Sequence, residues 1–206
     1  MRSDARRNRE LVLAAAQAVF SEHGQRATVE EVARRAGVGV GTVCRHFPTK
    51  EALVEAVHEA MYAALVNDAQ TALEQPDPGD AFRSFVVSLS EFQARHRALA
   101  EQMAADLDLP LSAQSLRTAL RNAISELVRR AQEAGAVRSD IGAADVAMLF
   151  SGVANATARA GALQPELRER YVAIILDGLR PLEATALPGR PLDFAQLERL
   201  KKRRAR

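Results

Sequence analysis

The chain has few of the residues that build several common kinds of site. It contains a single cysteine, Cys44, which excludes an internal disulfide and a metal site made of several cysteines. Aromatic residues make up 4% of the sequence, so a pocket for a large flat cation is not specially favoured. No apolar run approaches the roughly 20 residues that a membrane-spanning helix requires, and the N-terminus lacks the pattern of a signal peptide. We therefore expect a cytoplasmic protein that does not enter a membrane.

The small net charge of +2 conceals an uneven distribution. Residues 1–50 carry nine Lys or Arg against five Asp or Glu, residues 51–179 carry eleven against eighteen, and residues 180–206 carry eight against three. Basic ends therefore flank an acidic middle. This asymmetry fits a polyanionic partner for the first segment, and it fits chance clustering on a solvated surface equally well.

Hydrophobic periodicity is helical along almost the whole chain, and no segment alternates as a strand does. A capping box opens one helix, with Thr28 followed by Glu31, and Gly37 ends that helix. We predict an all-α protein of about nine helices, at residues 4–23, 28–37, 40–46, 49–73, 79–94, 96–107, 112–134, 142–161 and 165–179. Residues 181–191 are predicted to be loose. The sequence from Asp193 is compatible with a short basic helix, although a disordered end is favoured for residues 199–206, with DNA contact as the alternative.

The segment AGVGVGTVCRHF, residues 36–47, resembles a phosphate-binding loop at first sight. It lacks the lysine of a P-loop and the glycine spacing of a dinucleotide site, and an amphipathic helix precedes it where both motifs need a strand. A helix-turn-helix explains the glycines better, because Gly37 can leave the first helix in a left-handed conformation. Ala33 then permits close helix approach, while Val38 and Val43 fix the crossing angle.

Two stretches carry a resemblance to a known family. The sequences RELVLAAAQAVF, residues 9–20, and GQRATVEEVARRAGVGVGTVCRHFPTKEAL, residues 24–53, closely resemble the N-terminal DNA-binding domain of TetR-family transcriptional regulators. Residues 127–152 and 171–181 resemble the C-terminal half of many members. The resemblance implies an N-terminal three-helix module with a helix-turn-helix at residues 1–50, a ligand-binding and dimerisation bundle at 51–180, and a basic tail at 181–206.

The resemblance also implies which residues contact DNA, namely Thr28, Gly39, Val40, Gly41, Thr42, Cys44, Arg45, His46 and Lys50. Arg45 is the best candidate for reading a base, because its planar fork can grip guanine, and a phosphate contact is nearly as well supported. Thr28, Thr42, His46 and Lys50 are expected at phosphates. The N-terminal arginines Arg2, Arg6 and Arg7 either reach the duplex or belong to a frayed terminus.

Cys44 departs from the family pattern, which usually has tyrosine at this position. The loss of that tyrosine puts one expected contact with the DNA backbone in doubt. A redox switch and a small apolar filler both explain a cysteine here, and the filler is favoured.

By the same resemblance, the protein is expected to be a homodimeric repressor that binds a pseudo-palindromic operator in double-stranded DNA and releases it when a small molecule binds. The expected pocket is apolar and consists of Phe85, Leu89, Phe92, Met103, Leu120, Ile124 and Met148, although plain core packing explains each residue as well. The expected dimer interface consists of Val146, Leu149, Phe150, Val153, Tyr171, Ile174 and Ile175.

Two other functions remain open at this point. One is a DNA-binding protein without any ligand, and the other is a helical enzyme with an incidental helix-turn-helix. The sequence contains no catalytic constellation, and its histidines and Cys44 do not have the spacing of metal ligands. We therefore predict no enzymatic activity, no metal and no cofactor.

Overall fold

The structure is a computed structural model that describes the backbone of residues 2–96, 111–160, 166–182 and 185–204, and the side chains of residues 6–24, 26–96, 113–157, 166–182 and 185–199. Within these ranges all regular structure is helical, which confirms the predicted all-α class. The helix predicted at residues 96–107 lies almost wholly outside the described residues. Nine α-helices are described: α1 Arg2–His23, α2 Val29–Ala36, α3 Val40–His46, α4 Lys50–Leu73, α5 Pro78–Arg95, α6 Leu111–Glu133, α7 Ala143–Ala160, α8 Leu167–Gly178 and α9 Phe194–Arg204.

Polar side chains just before several of these helices cap their first turns. The Thr49 hydroxyl accepts the backbone N–H of Ala52 at 3.1 Å, so Thr49 is the N-cap of α4. The Asp77 carboxylate accepts the N–H of Asp80 at 2.8 Å and caps α5 in the same way. Each cap satisfies a donor that the first turn of a helix otherwise leaves without a partner.

The chain divides into two compact units, and α4 contributes residues to both. Unit 1 comprises Met1–Ala63 and Arg95–Ser115. In it α1 packs on α2 and α3, with a 3-10 turn at Gly24–Arg26 between α1 and α2. Helices α1 to α4 together form the core of unit 1. Its buried residues include Val12, Ala16, Val19, Phe20, Val32, Ala33, Val43, Leu53 and Val57.

Unit 2 comprises Ala64–Ala94 and Leu116–Arg206. Helices α5 to α8 each bury one apolar stripe, and α7 packs directly against α8. The core residues that decide its helix faces are Phe82, Phe85, Val86 and Leu89 on α5, Leu120, Ile124 and Leu127 on α6, Val146 and Phe150 on α7, and Val172 and Leu176 on α8. None of the helices in the described ranges has the length and apolar content needed to cross a membrane.

Two carboxylates accept backbone N–H groups within and just after the segment predicted to be loose at residues 181–191. Asp140 accepts the backbone N–H of Leu187 at 3.1 Å, and Asp145 accepts that of Leu192 at 3.1 Å. The sequence of the segment does not indicate these acceptors, because each lies 47 residues away along the chain.

The basic end of the chain also differs from the disorder that its composition favours, because the backbone is helical as far as Arg204. Glu198 of α9 lies 2.7 Å from the Arg121 guanidinium and 3.3 Å from that of Arg117, both on α6. The Arg121 guanidinium also lies 5.2 Å from the centroid of the Phe194 ring. These contacts give α9 a fixed place on α6.

Candidate DNA-binding surface

The turn between α2 and α3 is determined by residues within a few positions of it. Thr28 Oγ1 accepts the N–H of Glu31 at 3.2 Å, and a Glu31 carboxylate oxygen accepts the N–H of Thr28 at 2.9 Å, which confirms the predicted capping box. Gly37 ends α2 with φ 68° and ψ 28°. Because this left-handed conformation is strained for a residue with a Cβ, glycine permits the sharp turn. The N–H of Val38 then closes α2 on the carbonyl of Ala33 at 3.0 Å.

Helix α3 is anchored in unit 1 by its inner side. Val43 is completely buried, and Phe47, which follows the helix, is 5% exposed. The guanidinium of Arg9 lies 5.3 Å from the centroid of the Phe47 ring, which places a cation beside the C-terminal end of α3. The sequence alone does not indicate this role for Arg9, because only the packing of α1 against α3 brings it to this position.

Ion pairs at the surface join α1 to α2 and leave α3 uncovered. Both terminal nitrogens of Arg35 donate to the Glu22 carboxylate, at 2.9 and 2.8 Å. The hydrogen bonds from Arg35 lower the pKa of Glu22, and those to Glu22 raise the pKa of Arg35. The pKa of Glu31 is lowered chiefly because its carboxylate accepts the Thr28 backbone N–H, with His23 a smaller cause. These carboxylates stay ionised at neutral pH and link α1 to α2 at the surface.

The outer side of α3 is open to solvent. Val40, an apolar residue, is 40% exposed. Thr42, His46 and Lys50 are half-buried. The remaining residues of the predicted DNA-contacting set are exposed, namely Thr28, Gly39, Gly41, Cys44 and Arg45. Cys44 is a free thiol on this exposed side, so it does not fill a core position.

Two glycines on α3 have no role that the described contacts of unit 1 explain. A Cβ at Gly39 or Gly41 would meet no atom within 4 Å, and neither residue has a positive φ. Gly39 lies at the N-cap of α3 without a side-chain hydrogen bond, although Ser, Thr, Asp or Asn would cap the helix better. The fold therefore tolerates larger residues at both positions. Glycine leaves the backbone uncovered at both positions.

The N-terminal arginines are only partly described. Arg6 lies 3.6 Å from Glu10, one turn further along α1, and both side chains are largely exposed. Arg7 is exposed as well, and the side chain of Arg2 lies outside the described residues. Surface pairs of this kind contribute little to stability, so Arg6 and Arg7 can take up other anionic contacts at small cost.

Sequence and structure comparisons agree on the class of protein. The sequence model for bacterial regulatory proteins of the tetR family matches residues 12–57, and the model for the C-terminal domain of SbtR-like transcriptional regulators matches residues 77–181, about half of the chain. The chain belongs to the TetR family of transcriptional regulators.

Individual relatives support the same assignment. A TetR transcription regulatory protein from Mycobacterium vanbaalenii is 38% identical, with 87% of this chain and 98% of that chain covered and a TM-score of 0.66. A TetR transcriptional regulator from Streptomyces coelicolor is 33% identical over 84% of this chain and 99% of that one, with a TM-score of 0.66. The HTH-type transcriptional regulator UidR of Escherichia coli strain K12 is 29% identical over 162 residues, 73% of this chain and 79% of the relative.

Membership in the TetR family establishes a DNA-binding regulator rather than an enzyme. Within the described part of the chain, no group of three or more His, Cys, Asp or Glu side chains is arranged to hold a metal ion. Helices α2 and α3 form the helix-turn-helix of this TetR-family protein. Its second helix, α3, is the one that can enter a DNA groove.

The residues predicted for an effector pocket are distributed unevenly. Phe85, Leu89, Phe92, Leu120 and Ile124 are all buried in unit 2, on α5 and α6. Met148 does not join them, because it lies on the outer side of α7 and is 51% exposed. Met103 lies outside the described residues.

The residues predicted for a dimer interface fall into two groups. Val146, Phe150 and Val153 are buried inside unit 2, so they hold α7 in the protomer and do not present a surface to a second copy. Hydrophobic periodicity predicts the helix α7, but it does not distinguish the buried stripe of α7 from its outer stripe. The outer stripes of α7 and α8 carry Leu149, Tyr171 and Ile174, all at least 40% exposed, with Ile175 half-buried beside them.

Proposed function

We propose that the protein is a homodimeric repressor that binds a pseudo-palindromic operator through α3 and releases it when a small molecule binds in unit 2. The observation that carries the DNA-binding part is the open side of α3, where glycine occupies two positions at which the fold accommodates a Cβ. A DNA backbone or base edge that approaches these positions explains the absence of side chains. Such a regulator acts on the chromosome, so we place it in the cytoplasm.

Arg45 is the proposed base-reading residue. It is exposed on α3, and a bidentate contact from its guanidinium to guanine O6 and N7 contributes about 1–3 kcal/mol of discrimination. Thr42, His46 and Lys50 contact phosphates, and so does Thr28, whose hydroxyl proton remains available after its oxygen accepts the Glu31 N–H. Arg9 adds a phosphate contact beside the end of α3.

The outer stripes of α7 and α8 form the proposed dimer interface. Large apolar side chains there are exposed, including Ile174 at 54% and Leu149 at 42%. Gly152, Ala156 and Gly178 lie on the same outer stripes and permit close helix approach. A two-fold axis through this face gives four helices at the interface and two copies of α3. Half-sites about 34 Å apart, or a little more, then follow from the helical repeat of DNA.

Helix α4 is the proposed connection between effector and operator, because it contributes residues to both compact units. A ligand that binds unit 2 more tightly in one position of α4 than in another shifts the population between these positions. The separation of the two α3 helices changes with it, and so does operator affinity.

The decisive experiment selects bound sequences from random double-stranded DNA and measures affinity by gel shift. We expect Arg45→Ala to lower the affinity for the selected operator by about 100-fold or more, because the contact is lost twice in each dimer. The dimer itself should be unchanged in analytical ultracentrifugation.

Arg83→Ala is the matched control, since Arg83 is an exposed arginine of unit 2 and the substitution removes the same charge. It should leave operator affinity within about twofold, because Arg83 belongs to unit 2 and not to the helix-turn-helix. An Arg45→Ala protein that binds the operator as tightly as the control would rule out α3 as the reading helix.

A further inference from the structure

Ser90 on α5 carries a hydroxyl that is isolated inside unit 2. The residue is 1% exposed, and its Oγ has no hydrogen-bond partner among the described residues. Leaving a buried polar group unsatisfied is destabilising, so a serine at this position needs a reason that core packing does not supply.

Other helical hydroxyls in unit 2 show how such a group is normally satisfied. The Oγ of Ser84 donates to the carbonyl of Ala81 at 3.0 Å, and that of Ser125 donates to the carbonyl of Arg121 at 2.8 Å. Thr157, which is buried like Ser90, donates to the carbonyl of Val153 at 2.8 Å. This bond to the preceding turn is a common solution for a hydroxyl within a helix. Ser90 does not make it.

A second unsatisfied atom lies one turn further along α5. The amide Nε2 of Gln93 donates to the Ser151 hydroxyl of α7 at 3.2 Å, whereas the buried Oε1 of Gln93 has no partner among the described residues. Ser90 and Gln93 are three positions apart and therefore lie on the same side of the helix. We name these two residues the polar pair.

The residues next to the polar pair along its own side of α5 are apolar. Val86 and Leu89, on the same side of α5, are buried. The charged side chains of α5 within unit 2 lie elsewhere: Asp80 and Arg83 are exposed, and Glu91 is half-buried within 4.0 Å of the Arg168 guanidinium. A charged ligand group beside the polar pair would lose its hydration without gaining a counter-charge from α5. A neutral group loses less.

We propose that the polar pair is the anchor for a neutral effector whose polar group both donates and accepts hydrogen bonds, such as an alcohol or an amide on an apolar body. Gln93 Oε1 accepts from the ligand, and the Ser90 hydroxyl bonds to the same polar group, while Ser151 holds the Gln93 amide in position. This inference rests on the proposed function, because it specifies the chemistry of the molecule that binds unit 2.

The first test uses the protein alone. Ser90→Ala removes the unsatisfied hydroxyl. In a chain of this size, removing one destabilising buried group should raise the melting temperature by about 2–4 °C. Thr157→Val is the matched control, because it removes a buried hydroxyl that is already satisfied, and it should not raise the melting temperature. A Ser90→Ala protein that is less stable than wild type would contradict the proposal.

The second test uses three small probes of different charge, namely isopropanol, acetate and methylammonium. Nitrogen–proton correlation spectra of the dimer contain the Gln93 side-chain amide peaks, which are assigned by their loss in Gln93→Met. We expect isopropanol to shift these peaks saturably in wild type, and at least fivefold less in Ser90→Ala at the same concentration. Neither ion should shift them.

The outcomes separate this inference from the proposed function. If no probe shifts the Gln93 peaks, water or nothing at all occupies the polar pair, and the inference is wrong. A larger shift with acetate or methylammonium overturns the neutral class. If wild type itself selects no DNA, the proposed function fails, whatever the Gln93 peaks show.

Discussion

Gly37 determines the angle between α2 and α3, because its backbone has φ 68° and ψ 28° and no neighbouring atom limits the space for a side chain. The constraint is therefore conformational rather than steric. We expect Gly37→Ala to lower the free energy of unfolding by about 1–2 kcal/mol, the cost of a left-handed alanine. Urea denaturation of the full chain measures this change, and an unchanged midpoint would mean that the turn relaxes without penalty.

Gly41 provides the opposite case with the same substitution. It lies within α3, has no positive φ, and leaves space for a Cβ. Alanine is favoured over glycine in a helix by up to about 1 kcal/mol, so Gly41→Ala should stabilise the fold slightly. The added methyl groups should nevertheless weaken operator binding if the duplex comes close to α3. A variant that gains stability and keeps full affinity would show that this glycine is not reserved for DNA.

Among the elements, the start of α7 depends on one carboxylate with two tasks. Asp145 accepts the N–H of Gly142 at 2.8 Å, as in a capping box, and also the N–H of Leu192 at 3.1 Å. We expect Asp145→Ala to cost about 1–2 kcal/mol, because a helix cap and an anchor of the C-terminal segment are lost together. Faster hydrogen exchange at the Leu192 amide would identify the second part of that loss.

Asp177→Ala serves as the control for Asp145→Ala. The Asp177 carboxylate lies 3.3 Å from the Arg180 guanidinium, and both side chains are more than half exposed. Solvent screens such a pair, so its removal should change stability by no more than about 0.5 kcal/mol. Equal losses in the two variants would show that the Asp145 contacts do not stabilise α7 or the C-terminal segment.

The elements differ in how far the sequence alone determines them. The capping box at Thr28 and the turn at Gly37 were predictable, because the interacting groups lie within a few residues of each other. The anchoring of α9 by Glu198 was not, since Arg121 lies 77 residues away. Periodicity predicts a helix at α7. It did not separate the stripe with Phe150, which packs inside the protomer, from the stripe with Leu149, which remains exposed.

At the scale of the whole molecule, the division of the chain follows the fold rather than the motifs. The helix-turn-helix sequence suggests a boundary at residue 50, where α4 begins. The compact units instead divide within α4, between Ala63 and Ala64, and unit 1 also includes Arg95–Ser115. A continuous helix carries no change in composition at such a boundary, so the sequence could not show it. The same continuity underlies the proposal that α4 connects effector binding to operator binding.

In the proposed dimer the two-fold axis places each interface residue at the interface twice, so one substitution changes two contacts. Ile174 on α8 is 54% exposed, and its burial against a second copy would contribute roughly 1.5–3 kcal/mol per side chain. Ile174→Asp should therefore weaken the dimer by about 100-fold or more, as measured by analytical ultracentrifugation. Leu182→Asp, at a residue 83% exposed outside α7 and α8, should leave the dimer intact.

Loss of the dimer should also change how DNA is bound. A monomer presents a single α3 and contacts one half-site, so it loses the preference for two half-sites about 34 Å apart and retains only weak, salt-dependent affinity. Competition between the selected operator and the same DNA with its spacing altered by half a helical turn measures this preference. If Ile174→Asp is monomeric and still prefers the original spacing, the two-fold arrangement on DNA does not depend on α8, and the interface must be sought on another surface of the chain.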